Sequence, residues 1–402
     1  MKVLFLSPTF PNRYNPNYGI FAFQLVQNLQ ASNISFNVIA PVPYSPPFLW
    51  FKKKWREQAH IPKKEWIKGV EIFYPRYLCL PGKKFIYWNT LFMYWSVYPV
   101  LKKLHGKVRF NIMHSYGVLP AGYVGQLTAE KLGLSSTCTA IGLDINMLAQ
   151  KSIKAGALAR YVLENTGQVI AVGKDLAAEI NKLYVPDKMI KVIYNGIDSE
   201  RFNTTNIDYV QARIKLGLSP DVRIILFVGR LVREKGIYEL LEVFNRVLQN
   251  FSEAILVIVG DGNEKEALMN LAGEKGIQDK ITFTGSIPHK DLVWWYAASE
   301  IVILLSYYEG VPNVLKEAMS CGRAVLATST VGITELVVDG ETGLLVEPGN
   351  VEQAVAALEK LLAEPKLSRD MGINARRLIQ EKQLSWEKTA KAYQDVYLQQ
   401  LQ

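Results

Sequence analysis

Cysteine is scarce in this 402-residue chain, and its placement excludes two kinds of protein. Cys79, Cys138 and Cys321 stand isolated. They have neither the density of a disulfide-framed secreted domain nor the spacing of a zinc site, and they suit a reducing compartment. Histidine is equally sparse: His60, His105, His114 and His289 are scattered, so no built-in metal centre is expected. No Asp-x-Asp occurs, which weighs against a metal-held nucleotide sugar. Long apolar runs are missing too. The opening MKVLFLSPTFP is stopped at Pro8, too early for a signal peptide. The uncharged stretches 14–51 and 110–129 are broken by Pro, Gly, Asn and Gln, so no transmembrane helix is expected. Nor is there a solenoid-length repeat or a low-complexity tract.

Acid is missing from one region. Between Lys52 and Arg109 there are fourteen Lys/Arg against three acids, Glu57, Glu65 and Glu71, more than the whole chain's excess of +9. Trp55, Trp66, Trp88 and Trp95 lie inside this stretch and Trp50 just ahead of it. Cations interleaved with Trp suit a surface facing anionic headgroups. A core helix over 85–101 with a solvated lysine fringe fits equally well, and both readings stay open. Nucleic acid, which the same residue types could serve by stacking, is not expected as a partner.

What is there is an ordinary globular composition, 49% hydrophobic and 21% charged, long enough for about two domains. Short Val/Ile-rich runs alternate with helical spacing such as 236–249 and 350–363. The strand candidates are 2–7, 36–40, 111–116, 136–141 and 169–173, then 223–229, 254–260, 281–285, 300–306, 324–329 and 342–347. Continuously apolar strands alternating with helices imply parallel sheets covered on both faces. The fold class is therefore α/β, two doubly wound Rossmann-like domains, which would face each other across a cleft. Turn-forming residues at 198–206 suggest a first domain over 1–202, completed by 385–402, and a second over 203–384.

Ligands of such sheets sit at the carboxyl ends of the strands. There the stretch SYYEGVPNVLKEAMSCG (306–322) places Glu309 in a loop and Glu317 in the helix that follows. With Pro312 opening that helix, the amides of Asn313, Val314 and Leu315 lack helical partners and make an anion site. Glu317 has no basic residue four positions away and suits ribose hydroxyls, while Glu309 suits those of a sugar ring. In VGRLVREKG (228–236), Arg230 and Lys235 leave a strand end as a pair of cations fit for a diphosphate. A solvated basic loop would look the same if it stood alone. VGDGNEKEAL (259–268) and NYGIF (17–21), with Gly19, are weak phosphate-loop signals, more often plain turns.

Taken in order, GRLVREKG, VGDGNEKEAL, FTGSIPHKDL, LSYYEGVPNVLKEAMSCG and GITELVVDGETGLLVEPGN resemble the retaining GT-B-fold glycosyltransferases of the large bacterial family 4. That group holds phosphatidylinositol mannosyltransferases and exopolysaccharide enzymes, and the likeness is greatest to the teichuronic-acid and capsule type. YNGIDSERF (194–202), LSWEKTAKAY (384–393), IMHSYGVLPAG (112–122) and GLDIN (142–146) extend the resemblance over nearly the whole chain. It implies a transferase that moves a sugar from a UDP- or GDP-sugar, as substrate, to a lipid-linked or polysaccharide acceptor. Neither metal nor other cofactor is implied. Arg230 and Lys235 would hold the diphosphate, Glu317 the ribose and Glu309 the donor sugar. Gly19 would meet the phosphate from the first domain, and Ser286 and Ile287 would face the base. The final helix, from about Trp386, would return to the first domain. The cytoplasm is the implied location, with the inner face of the cell membrane where the basic stretch would hold it.

Three positions depart from the family pattern. Ile141 replaces the histidine that meets the donor's C6 hydroxyl, His114 keeps the first place of a His-x-His pair whose second is Tyr116, and Gly173 replaces a serine. His114 is carried over as a catalytic candidate, and Asp144 or Tyr116 as substitutes for the lost histidine. Otherwise the donor would lack the 6-hydroxyl. Three competing functions are a hydrolase using Glu309 and Glu317, a sugar-nucleotide epimerase, and a non-catalytic nucleotide-sugar-binding protein.

Overall fold

A computed structural model describes residues 1–186, 188–205 and 207–402, apart from the Lys54 side chain; Asn206, the end of the boundary stretch, lies outside the described residues. The chain forms two compact units, residues 1–196 with 386–402, and residues 197–385. Residues 197–202, which the sequence groups with the first half, belong to the second. The reason is local: Ile197 bridges to Ser385, and Phe202 is buried with its ring against His289 and Tyr296.

In the second unit six strands form one sheet in the order Ile281–Gly285, Ala254–Val259, Arg223–Val228, Ile301–Leu304, Ala324–Thr328, Gly343–Val346. Every pairing is parallel. Each strand matches a run of the sequence, because helices such as Val351–Ala363 and Pro365–Lys382 pack on the sheet. The order reverses between Arg223–Val228 and Ile301–Leu304, so a crevice opens at their carboxyl ends.

The first unit's sheet runs Lys191–Val192, Gln168–Ala171, Ser135–Ala140, Ile112–Tyr116, Lys2–Leu6, Ser35–Ile39, Val70–Phe73, Lys64–Ile67. All its pairs are parallel except the last, a hairpin. That hairpin is invisible to a search for apolar runs, since KEWI and VEIF mix charge with apolar residues. Its signal is the Lys68–Gly69 turn, both residues at positive φ. The helix Trp386–Gln399 completes this unit: Trp386, Ala390, Tyr393, Val396 and Tyr397 join the core that holds Val3, Phe5 and Phe36.

The helix Ile86–Val108 is longer than expected, running past Pro99, which lies on its exposed side. Ile86, Asn89, Thr90, Met93, Val97 and Leu101 are buried on one face, so the core-helix reading holds for that face. On the other, Trp88 and Trp95 are 47% and 59% exposed and pack on Phe92.

Candidate functional site

The crevice of the second unit is shaped first by glycines. The loop after Arg223–Val228 is laced to the loop after Ala254–Val259: Leu231 N–H donates to Asp261 at 3.0 Å and Glu264 N–H to Leu231 at 3.2 Å. A Cβ on Gly260 would lie 1.8 Å from the Gly229 carbonyl oxygen, and one on Gly262 2.1 Å from that of Leu231. Only glycine permits that approach. With the backbone so fixed, Arg230 projects into solvent, and among the described residues no carboxylate pairs with it.

Lys235 behaves differently. Its ammonium makes a close ion pair with Glu309, which also accepts from Ser306 Oγ at 2.7 Å. Both partners are largely buried. Tyr307, between Ser306 and Glu309, is tied down as well: its N–H donates to Glu234 at 2.9 Å and its hydroxyl to Glu239 at 2.7 Å. Strand ends 74 residues apart in sequence thus meet in one Lys–Glu–Ser cluster.

The helix Asn313–Ser320 begins directly after Pro312, in extended conformation at the N-cap rather than as the first helical residue. Of the three amides expected to be free, Leu315 N–H turns back to the Pro312 carbonyl at 3.2 Å. Asn313 and Val314 alone keep unbonded amides there among the described residues. The Asn313 side-chain oxygen is also buried without a partner, an acceptor waiting for a donor.

Glu317 lies deeper than its helical wheel suggests, at 3% exposure, within a helix buried from Leu315 to Ser320. It is not unpartnered. His289 Nε2 lies 2.7 Å from one carboxylate oxygen, and Tyr296 donates to the other at 3.0 Å. Sequence reasoning missed both partners, because they come from a loop and helix 28 and 21 residues away. The SIPHKDL motif was the available signal. Burial, then the Glu317 charge, pushes the Tyr296 phenol well up, so it stays a donor. Beside it, burial lowers the fully enclosed Lys316 ammonium to about 7. Ser286 and Ile287 follow the strand Ile281–Gly285 at its carboxyl end, the first exposed and the second half-buried.

The first unit corrects two of the expected roles. His114 is fully buried, its Nδ1 bonded closely to the Tyr397 hydroxyl and its Nε2 3.0 Å from Thr139 Oγ1. Burial lowers its pKa to about 3. It is a core histidine linking the sheet to the helix Trp386–Gln399, not a catalytic group. Asp144 is buried as well, one oxygen accepting from Val118 N–H at 2.6 Å and the other from Ile141 and Ile145 N–H at 3.1 Å each. Burial raises its pKa against the pull of those amides. It braces two loops and has no accessible oxygen for a sugar hydroxyl. Tyr116 is equally committed, buried and donating to Asn195 at 3.3 Å. Gly19 caps the helix Ile20–Ala31 at φ 68°, where a Cβ would come within 2.1 Å of the Thr9 carbonyl oxygen. The backbone there must be glycine whatever it binds.

Known proteins resemble this chain along nearly its whole length. The family model described as group 1 glycosyl transferases matches residues 210–378, and that of glycosyltransferase family 4 matches residues 18–201. A putative teichuronic acid biosynthesis glycosyltransferase, TuaC of Bacillus subtilis (strain 168), is 29% identical over 368 residues, 90% of this chain and 89% of that one. D-inositol 3-phosphate glycosyltransferase 2 of Catenulispora acidiphila is 30% identical over 73% of this chain and 72% of its own. Among solved structures, sucrose-phosphate synthase of Thermosynechococcus elongatus superposes with a TM-score of 0.83 at 23% identity, covering 99% of this chain and 98% of that one. Anabaena HepE in complex with UDP-glucose gives 0.75 at 19%, covering 98% and 99%. Two Rossmann-like units, two adjoining family matches and a relative at this identity lead to one conclusion: the chain belongs to the family 4 glycosyltransferases and is a glycosyltransferase of GT-B fold.

Proposed function

We propose that the protein transfers a sugar, with retention of anomeric configuration, from a nucleotide-diphosphate sugar to a lipid-linked or polysaccharide acceptor of the cell surface. One observation carries the donor half: an unpaired Arg230, the Lys235–Glu309–Ser306 cluster and the free amides of Asn313 and Val314 gather at the switch point of the second unit's sheet. The leaving diphosphate gains charge as the sugar C1–O bond breaks, and Arg230, Lys235 and the helix amides are fixed donors for that charge. No metal is needed in this account. The acceptor oxygen bonds to C1 on the face the diphosphate leaves, and its proton passes to a leaving phosphate oxygen. Glu309 accepts from the donor sugar's hydroxyls. Glu317 accepts from the ribose with the lone pairs that His289 and Tyr296 leave unused. The complex of HepE with UDP-glucose supports the donor class, and the likeness to TuaC supports the acceptor class.

A hydrolase with paired carboxylates fits poorly, since Glu309 is committed to Lys235 and Glu317 to His289 and Tyr296. The second face of Ile86–Val108 supports a membrane surface as the place of work. Trp88, Phe92 and Trp95 lie opposite the core face, with Lys84 ahead of them and Lys102 and Lys103 behind, all three lysines exposed. Phe48 and Phe51, beside Lys52 and Lys53, are 75% and 76% exposed. Exposed aromatics rimmed by lysine suit an anionic interface.

The deciding experiment is product analysis with labelled UDP- and GDP-sugars and membrane lipid fractions, followed by NMR of the new linkage. A glycoconjugate with the donor's anomeric configuration is expected. Free sugar would make the protein a hydrolase, an epimer an epimerase, and unchanged donor a binding protein. In calorimetry, Glu317→Gln should weaken binding of the nucleoside diphosphate alone, and Glu309→Gln should not. Flotation with anionic vesicles that salt does not reverse, or equal flotation with neutral ones, would remove the electrostatic part of the membrane reading.

A further inference from the structure

Away from the donor crevice, at the amino end of the strand Ala324–Thr328, the second unit has a cavity of about 250 Å³ lined by Gly322, Arg323, Arg369, Ile373 and Arg376. Arg369, Ile373 and Arg376 follow one another along one side of the helix Pro365–Lys382, at the spacing that aligns side chains. Arg323 comes from the turn after Asn313–Ser320. Three guanidinium groups therefore meet in one cavity with no acid in its lining.

Several other arginines of the unit are paired: Arg213, Arg233 and Arg246 each meet a glutamate. No carboxylate lies within ion-pair distance of Arg323, Arg369 or Arg376 among the described residues. Two of the three are held rigidly by uncharged acceptors. Arg323 donates to Cys321 O at 3.1 Å, Ser299 O at 3.0 Å and Thr204 Oγ1 at 3.4 Å. Arg376 donates to Ser320 O at 3.1 Å, Thr205 Oγ1 at 3.0 Å and Thr204 Oγ1 at 3.1 Å. These bonds use part of each fork and fix its plane. The carbonyls at the end of a helix supply about half a negative charge against three positive ones. Burial depresses the Arg323 pKa; the neighbouring Arg376 charge adds to this, while Cys321 and the more distant Glu300 oppose it. Gly322 adds a steric requirement: at φ 67°, a Cβ there would stand 2.8 Å from an Arg376 nitrogen.

We propose that this cavity is a binding site for a phosphate dianion, distinct from the donor site. A tetrahedral oxyanion matches fixed guanidinium forks in both charge and geometry. The cavity leaves room for a small organic substituent against the Ile373 side chain. Free phosphate and a phosphomonoester share this chemistry.

The test is calorimetry and thermal unfolding with inorganic phosphate, at ionic strength held constant with chloride. It uses the Arg230→Ala protein, so that anion binding in the donor crevice is weakened. Phosphate should bind at one site and raise the melting temperature. Arg369 is exposed and its loss leaves the fold intact, so Arg369→Gln should lower the affinity about tenfold through one lost charge-assisted contact. Ile373→Glu, which brings the missing carboxylate, should abolish the phosphate response. The site is overturned if Arg230→Ala protein shows no response in millimolar phosphate, or if the response survives unchanged in both Arg369→Gln and Ile373→Glu. Glycerol 3-phosphate binding more tightly than phosphate would support the site and identify an ester as occupant; equal or weaker binding would support it with free phosphate.

Discussion

At the strand ends of the first unit the three candidate polar side chains are bonded to their own fold. In the second unit Lys235, Glu309 and Glu317 are bonded too, but Arg230 and the Asn313 side-chain oxygen are left without a protein partner among the described residues. His114, Tyr116 and Asp144 each end on a partner from the same unit, and all are buried. Arg230 reaches solvent without a counter-charge, and the Asn313 oxygen has no donor. Both sheets are parallel apart from the first unit's edge hairpin, and both have a switch point, so topology does not explain the difference. It lies in whether a polar group's partner comes from the protein or is left to a ligand. A polar residue near a parallel-sheet switch point is therefore only a candidate until its own bonds have been counted.

The comparison can be broken by substitution, and the largest effect belongs to the first unit. Asp144→Ala leaves the Val118 and Ile141 amides without their acceptor, while Ile145 keeps the Gly142 carbonyl, at a cost of about 3 kcal/mol. Denaturant unfolding should show that loss, while the protein that remains folded binds nucleoside diphosphate as before. A large loss of nucleotide affinity without loss of stability would restore Asp144 to the site.

Arg230→Ala should do the reverse. Transfer should fall roughly ten- to hundredfold, as one charge-assisted contact is lost, with the melting temperature barely changed. Unaltered steady-state rates would mean that Arg230 is a solvated surface cation.

His114→Phe should cost about 2 kcal/mol, mainly through the orphaned Tyr397 hydroxyl, since Thr139 keeps its bond to Tyr393, with turnover retained. Its pH signature is specific. The folded-state pKa of about 3 lies below the ordinary 6.5, so between these values the unfolded chain holds a proton the folded one lacks. Stability therefore falls as pH drops through that window, and His114→Phe should flatten this part of the acid-unfolding profile.

The smallest effect concerns the donor. His114, Asp144 and Tyr116 are all committed elsewhere, so none of the three stands in for a hydroxyl partner at Ile141. A 6-deoxy or pentose donor should be tolerated or preferred, and Ile141→His should shift relative kcat/KM toward the hexose by less than about tenfold. A wild-type preference for the hexose above that factor would end the idea.

The second unit was far more legible from sequence than the first. Its six strands coincide with runs read from the sequence, and Arg230, Lys235 and Glu309 follow the carboxyl ends of two of them, with Glu317 in the helix after the second. Less legible was anything decided by a partner far along the chain. Nothing near Glu317 announces His289, and nothing near His114 announces Tyr397, 283 residues on. The Lys64–Phe73 hairpin was hidden for another reason: an edge ladder half open to water mixes charge into its strands, so no apolar run marks them.

The helix Trp386–Gln399 has a consequence for how the protein is made. On the ribosome, residues 197–385 are contiguous and can fold as soon as they emerge. The earlier-made residues 1–196 cannot finish, because Tyr393 and Tyr397, which close their core around His114, are synthesised after the entire second unit. Until then a slot lined by Phe5, Phe36 and His114 stands open to water. The unit begun earlier is thus the later of the two to become native.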